Sequence, residues 1–169
     1  ARTVGPQGQI WAFEPASSTA GLLAASIAAN GYTQVTLDQS AVSSACGTAQ
    51  LSLNDNSELN ALVQGSPISS ASETVPLVTL DSSMQRYNWK HIDFLKIDAE
   101  GEEANIIKGG ARFFTELSPL VQYEVKVDGA ADLRLAQYFA ELGYRSYRLV
   151  PGLNVLAPFD STTSPDGYL

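Results

Sequence analysis

The chain has 169 residues, of which 44% are hydrophobic, and its 10 basic and 18 acidic residues give a net charge of −8. That length suits one domain with a sizeable core, while the acidic balance disfavours nucleic acid and anionic membranes, because both need a basic surface. The single cysteine and the single histidine exclude an internal disulfide framework and a Cys/His zinc site.

The first elements are predicted to be a strand, a helix and a second strand. Residues 9–13 form a short apolar run that stops at Glu14, which is typical of a buried strand ending in an acid. A helix follows, with residues 17–18 as its N-cap and residues 30–31 at its end, and it is expected to pack closely on a sheet. Residues 33–37 form the next strand, which completes the crossover unit of a parallel sheet.

The middle of the chain has weaker signals. Cys46 lies at a turn, or in the core as a small residue, and residues 49–53 alternate in polarity, which favours a small edge strand or hairpin. Residues 54–73 are rich in Ser, Asn and Gly and are predicted to form a loop that could cover a site. Order resumes at residues 75–80, and Asp81-Ser82-Ser83 is predicted to cap a short helix that ends at residue 87.

Two strands with a helix between them follow. Residues 92–98 form a strand with an unusual charged content, and residues 101–117 form a helix with one apolar face. The glycine pair at residues 109–110 is expected to bend or break that helix. Residues 120–125 form the next strand.

The last elements are a helix and a hairpin. Residues 132–142 form the helix, and residues 144–150 and 153–157 form two strands joined by a tight turn. The order of elements predicts an α/β fold with a doubly wound, mostly parallel sheet and an antiparallel last strand. The tail at residues 160–169 is predicted to be loose.

Ligands of such sheets bind beyond the carboxyl ends of the strands, and acids stand at four of these ends: Glu14, Asp38, Asp98 with Glu100, and Glu124. A carboxylate in the position of Glu14 can accept hydrogen bonds from both ribose hydroxyls of an adenosine. The alternative is an acid at a helix N-terminus, stabilised by the helix dipole.

The run from Lys96 to residue 101 is the densest signal. Lys96 shares a strand face with Asp98, and a lysine on a central strand covered on both faces needs a partner, for which Asp98, Glu100 and Glu124 are candidates. Gly101 permits a sharp turn. A purely structural ion pair with a helix cap is the alternative. Glu124 is a base, a partner of Lys96 or a polar residue at a strand exit, whereas His91 is predicted to be exposed.

These residues resemble a known family, the FkbM-type methyltransferases. The resemblance covers about residues 5–157 and is strongest in the run Leu-Lys-Ile-Asp-Ala-Glu-Gly at residues 95–101. The other matching runs lie at residues 8–15, 78–81, 92–94, 106–111 and 119–124.

The resemblance implies a Rossmann-like class I methyltransferase fold over residues 1–159 and methyl transfer from S-adenosylmethionine to a hydroxyl of a sugar or natural product. By position in the family, Glu14 would hold the ribose, and Ser40, Ala41 and Val42 would lie near the adenine. Asp98 and Glu100 would face the reaction centre, where a base must take the hydroxyl proton; Glu124 is a further candidate base. No metal is required, although the cluster of acids is compatible with a divalent cation.

One departure from the family concerns its first strand, which ends in a loop of the type Asp-x-Gly-Ala-Asn-x-Gly around the methionine part of the cofactor. The sequence contains no such run, and residues 1–4 resemble the end of the helix that follows the loop. We therefore expect a truncated or incompletely defined chain that lacks a central strand. The open edge left by that strand could pair with another chain in an oligomer.

Two rival functions remain. A nicotinamide-dependent reductase or epimerase would use Glu14 equally well, but no Tyr-x-x-x-Lys pair is present. A degenerate methyltransferase fold used for binding or scaffolding is the other rival. The expected partner is a small-molecule hydroxyl acceptor rather than nucleic acid or a membrane, and the absence of a signal peptide and of long apolar runs favours a cytoplasmic protein.

Overall fold

The computed structural model describes residues 1–53, 60–63, 71–123, 133–150, 152–153 and 155–159. The strands are β1 (Ile10–Phe13), β2 (Val35–Asp38), β3 (Ala41–Val42), β4 (Gly47–Ser52), β5 (Ala61–Leu62), β6 (Ser72–Val78), β7 (Phe94–Ile97), β8 (Leu120–Tyr123), β9 (Tyr147–Val150) and β10 (Val155–Pro158). The helices are α1 (Ser17–Ala29), α2 (Leu80–Arg86), α3 (Glu103–Lys108), α4 (Ala111–Leu117) and α5 (Leu133–Glu141). Most of the predicted loop at 54–73 lies outside the described residues, and where it is described the prediction is wrong in part, because β5 and the start of β6 fall within it. Glu124 and the predicted tail at 160–169 also lie outside the described residues.

The sheet topology is mixed and divided. β1 and β2 are parallel, with Phe13 opposite Asp38, and β7 and β8 are parallel, with Ile97 opposite Tyr123. β9 and β10 form the antiparallel hairpin expected near the end of the chain. The predicted parallel pairs are thus present, but the prediction of one continuous doubly wound sheet is not met. Within the described residues β1 hydrogen-bonds as a strand only to β2, and β7 only to β8.

A separate four-stranded sheet has the order β3-β6-β4-β5. The edge strand or hairpin predicted at residues 49–53 corresponds to β4, which begins earlier, at Gly47. β4 is not at an edge, since it lies between β6 and β5, but it pairs antiparallel with β5, as a hairpin strand does. β3 pairs in parallel with the end of β6, with Ala41 opposite Leu77. β3 has only two residues, too few for a periodic pattern in the sequence, and within the described residues it pairs with a segment far along the chain.

Two helix starts depart from the sequence predictions. The N-cap of α1 is Ala16, whose methyl side chain cannot accept a hydrogen bond, whereas the predicted cap Ser17 bonds through its backbone N–H and its hydroxyl to Glu73 of β6. The N-cap of α2 is Thr79, in a capping box with Ser82. The predicted cap Asp81 instead accepts hydrogen bonds at the start of α4, from the backbone N–H groups of Phe113 (2.8 Å) and Arg112 (3.3 Å).

The helix predicted at residues 101–117 is broken, as its glycine pair suggested. α3 ends before Gly109, and α4 begins after Gly110. A Cβ placed on Gly109 would lie 2.2 Å from the carbonyl oxygen of Ser43, and one on Gly110 would lie 2.9 Å from Leu80 Cδ1. Gly109 therefore requires glycine, because the added atom would meet backbone, whereas at Gly110 the neighbouring atoms belong to side chains.

The main core lies among α2, α3, α4, α5 and β7, and its buried members are Leu80, Met84, Trp89, Ile97, Ile106, Ile107, Phe113, Phe114, Leu135 and Phe139. Trp11 and Phe13 of β1 contact it through edge-to-face packing on Trp89. The expected close packing of α1 is wrong, since Ala20 is its one buried residue and Leu22 is 75% exposed. Among the described helices, none is long and apolar enough to cross a membrane.

Candidate functional site

Glu14 lies directly after β1, beside the end of β2. Its backbone N–H donates to the carbonyl of Asp38 at 3.1 Å, which extends the parallel pairing by one residue. The carboxylate Oε1 accepts a hydrogen bond from the backbone N–H of Ala16 at 2.9 Å, at the start of α1. The acid therefore makes the helix-start contact that was one of its two predicted roles. Its second oxygen, Oε2, has no protein donor in the part of the chain that is described.

Asp38, the last residue of β2, has a buried carboxylate that accepts three hydrogen bonds from side chains. Its Oδ1 accepts from the Ser40 hydroxyl at 2.8 Å, and its Oδ2 accepts from the Tyr87 hydroxyl at 2.7 Å and from Arg86 Nη1 at 3.1 Å. Burial raises the pKa of the Tyr87 phenol, and the hydrogen bond to Asp38 raises it further. The Asp38 carboxylate is thus committed to joining β2 to α2, a role that the sequence did not predict because both donors in α2 and after it are distant.

The segment expected near an adenine, Ser40 to Val42, is firmly held. Ser40 is 2% exposed and Ala41 is 7% exposed, and the Ser40 hydroxyl is used by Asp38. Val42 is half-buried and packs against the main core. Since Ser40 and Ala41 are buried, Val42 is the residue of this segment that keeps exposed surface for a ligand.

Lys96 and Asp98 form an ion pair with 2.7 Å between Nζ and Oδ2. Of the three partners predicted for Lys96, Asp98 is therefore confirmed. The predicted burial is wrong, because the side chains of Lys96 and Asp98 are 59% and 42% exposed, and Phe94 on the same face is 51% exposed. The expectation that both faces of this strand are covered therefore does not hold, because the side chains of Phe94 and Lys96 leave one face open to solvent.

The turn after β7 contains two successive left-handed residues, Glu100 with φ 48° and Gly101 with φ 100°. This confirms the sharp turn predicted at Gly101. The carboxylate Oε1 of Glu103 holds the turn from inside, since it accepts from the backbone N–H groups of Ala99 (3.1 Å) and Gly101 (3.2 Å). Glu103 was not predicted as a site residue, although an acid in the first turn of a helix is a local sequence signal for such hydrogen bonds.

Glu102 is the buried acid of this region, with 7% of its surface exposed. Its Oε1 accepts hydrogen bonds from the Ser43 hydroxyl and from Asn105 Nδ2, the latter at 2.9 Å. Ser43 lies just after β3, so this contact joins two segments that are far apart in the chain. No local pattern identifies such a residue, because an acid one place away, Glu103, looks the same in sequence and bonds only within its own turn.

Two further residues considered as candidates, His91 and Cys46, lie on the surface. His91 is exposed as predicted, with Nε2 2.8 Å from Asp93 Oδ1. Cys46 is also exposed and lies just before β4. Among the described residues, no group of three or more His, Cys, Asp or Glu side chains is placed to hold a metal ion. Glu124, the remaining candidate, lies outside the described residues.

An open cavity of about 350 Å³ lies at the other end of the first parallel pair. It is lined by Pro6, Gln7, Gly8, Gln9, Trp11, Thr33, Gln34 and Thr36. These residues are at and before the amino ends of β1 and β2, whereas Glu14 and Asp38 are at the carboxyl ends. The cavity therefore contains none of the predicted site residues.

Comparison with known protein families identifies the family of this chain. The family model described as the methyltransferase FkbM domain matches residues 1–146. That range includes all of the predicted site residues, from Glu14 to Glu124. No curated protein and no solved structure matches the chain significantly.

Proposed function

We propose that this chain, which belongs to the FkbM methyltransferase domain family, transfers the methyl group of S-adenosylmethionine to a hydroxyl of a small molecule such as a sugar or natural product. Family membership supports methyl transfer in general. The cofactor and the class of acceptor are the parts that this proposal adds. The residues at the strand ends support the cofactor, and the class of acceptor is what the resemblance to the family implies.

The observation that carries the proposal is the placement of Glu14. Its carboxylate stands at the carboxyl end of β1, next to the end of the parallel strand β2, and its Oε2 has no donor from the described part of the protein. A carboxylate in that position suits the two hydroxyls of an adenosine ribose. The segment from Ser40 to Val42 follows β2, and its half-buried Val42 side chain would lie beside the adenine. These residues therefore fit the adenosine end of the cofactor.

Bound S-adenosylmethionine would supply a methyl group on a sulfonium, which is open to in-line attack. The protein's own task is to align the acceptor hydroxyl and to take its proton. We assign the proton to Asp98, which is partly exposed after β7, and the Lys96 ammonium orients that carboxylate through the 2.7 Å ion pair. Glu100, in the turn that follows, is proposed to face the same acceptor, and Glu124 is the alternative base.

The acceptor is proposed to be neutral or cationic. The net charge of −8 disfavours polyanionic acceptors such as nucleic acid, because the chain would repel them at long range. A hydroxyl compound without phosphate or carboxylate groups meets no such barrier.

Calorimetric titration of S-adenosylmethionine and, separately, of NADH into the full-length protein tests this function. Binding of S-adenosylmethionine without binding of NADH supports it. Binding of NADH alone would favour a reductase or epimerase, for which Glu14 is equally suited. A folded protein that binds neither ligand would favour a scaffold function for the methyltransferase fold.

A further inference from the structure

The buried carboxylate of Glu102 connects two parts of the candidate site. It follows the left-handed turn of Glu100 and Gly101 and accepts a hydrogen bond from Ser43, 59 residues earlier in the chain. Ser43 is 6% exposed and Glu102 is 7% exposed, so the bond is shielded from water. A charge-assisted hydrogen bond in a dry environment is stronger and more directional than a neutral one.

A second contact fixes the same two segments. The carbonyl oxygen of Ser43 lies against Gly109 at the end of α3, so closely that a Cβ there would be 2.2 Å away. The backbone N–H of Ser43 donates to Val78 at 2.8 Å, which holds it to β6. The position of Ser43 is therefore set from three directions, and Glu102 is the side chain that relates it to the turn after β7.

We propose that Glu102 is a positioning residue that sets the distance between the adenine side of the cofactor site and the turn that carries the reaction-centre acids. The inference rests on the proposed function. On one side of the contact, Ser43 directly continues the segment of Ser40 to Val42. On the other side, Glu102 lies four residues after Asp98 and two after Glu100.

The neighbouring acids Glu102 and Glu103 stabilise different features of this region. Glu103 accepts from Ala99 and Gly101 and so keeps the shape of the turn. Glu102 accepts from Ser43 and so fixes where that turn stands relative to the next segment. A ligand that spans both sides needs the second property, whereas a ligand confined to the adenine side does not.

The test compares two ligands, S-adenosylmethionine and adenosine, by calorimetric titration of the full-length protein. Adenosine would contact only the Glu14 and Ser40–Val42 side. We expect Glu102→Ala to weaken binding of S-adenosylmethionine about tenfold or more, the loss of one charged hydrogen bond, and to change adenosine affinity less than about threefold. Ser43→Ala should act in the same direction, and it keeps the variant set informative if Glu102→Ala does not fold.

Two control variants sharpen the comparison. Glu102→Gln keeps an acceptor oxygen for Ser43 and should restore affinity for S-adenosylmethionine to within about threefold of the wild type. Asn105→Ala removes the other donor to Glu102, at 2.9 Å, without touching the contact between segments, and should leave the ratio of the two affinities unchanged.

Equal losses for both ligands, together with a lower melting temperature, would overturn the inference and make Glu102 purely structural. Unchanged binding of S-adenosylmethionine by Glu102→Ala and Ser43→Ala would also overturn it, while leaving the proposed function intact. If the wild-type protein itself bound no S-adenosylmethionine, the proposed function would fail first, and this inference would fail with it.

Discussion

The hydroxyl of Tyr87 donates a hydrogen bond to Oδ2 of Asp38 across 2.7 Å, and this contact joins the residue after α2 to the carboxyl end of β2. Asp38 is 9% exposed, so its carboxylate oxygens need hydrogen-bond donors from the protein in place of water. The strand end that would carry the adenine-side segment is thus anchored from α2.

Tyr87→Phe should lower the free energy of unfolding by about 1–3 kcal/mol, because it removes one of three donors to a buried carboxylate. Chemical denaturation followed by circular dichroism measures this change. Tyr147→Phe is a matched control, since Tyr147 is 52% exposed, and it should have little effect. Equal stability of the wild type and Tyr87→Phe would contradict the role of this bond.

The same residue predicts a pH dependence. The pKa of Tyr87 is raised above the usual value of 10.0 in the folded protein, by burial first and by the bond to Asp38 second. A raised folded pKa contributes stability that is fully present below the unfolded pKa and is lost as pH rises through the folded pKa. Stability should therefore fall above about pH 10.

Tyr144 gives a second test of the same effect, because burial also raises its pKa. Tyr87→Phe and Tyr144→Phe should each remove part of the alkaline loss in thermal melts recorded above about pH 10. A slope that neither substitution alters would assign the loss to other groups.

Glu14→Ala should weaken binding of S-adenosylmethionine by about 1.5–3 kcal/mol, the contribution of a charged hydrogen bond. Glu14→Gln distinguishes an effect on ligand binding from an effect on stability. It keeps an acceptor for the Ala16 N–H at 2.9 Å while removing the charge. The exposed acid Glu116, paired with Arg112, provides the control Glu116→Gln. Unchanged affinity in Glu14→Ala would remove the ribose assignment.

Asp98→Asn should lower turnover far more than it lowers cofactor affinity, since a proton acceptor acts mainly in the transition state. Turnover would be followed as methyl transfer to a hydroxyl compound found by screening sugars, and affinity by calorimetry. Asp93→Asn, at a 90% exposed side chain, is the matched control. Parallel losses of turnover, affinity and melting temperature would make the Lys96–Asp98 pair structural.

Gly109→Ala should destabilise the protein by about 1–3 kcal/mol or more, because the new Cβ must displace a backbone carbonyl. That carbonyl belongs to Ser43, 2.2 Å from the added atom. Gly21→Ala in α1 is the control: its Cβ meets nothing within 4 Å, and the change should stabilise the helix by about 0.5–1 kcal/mol. Similar melting temperatures for the two variants would contradict the close approach.

Local patterns determined much of the fold and the family. Short apolar runs bounded by turn residues marked β1, β2, β7 and β8, because the signal for a strand lies in the residues of that strand alone. The glycine pair at residues 109–110 marked the break between α3 and α4. The run at residues 95–101 is a contiguous motif, so it identified the family without any knowledge of distant contacts.

Contacts between distant segments were decided by the tertiary structure. Adjacent acids Glu102 and Glu103 look alike in sequence, yet one bonds to Ser43 across 59 residues and the other closes its own turn. Asp81 caps α4 rather than its own helix, and Asp38 gathers donors from α2 and beyond. Sequence could predict where acids end strands, because that is a local property. Which partner each acid takes, and whether Lys96 is buried or exposed, depends on what the folded chain brings beside it.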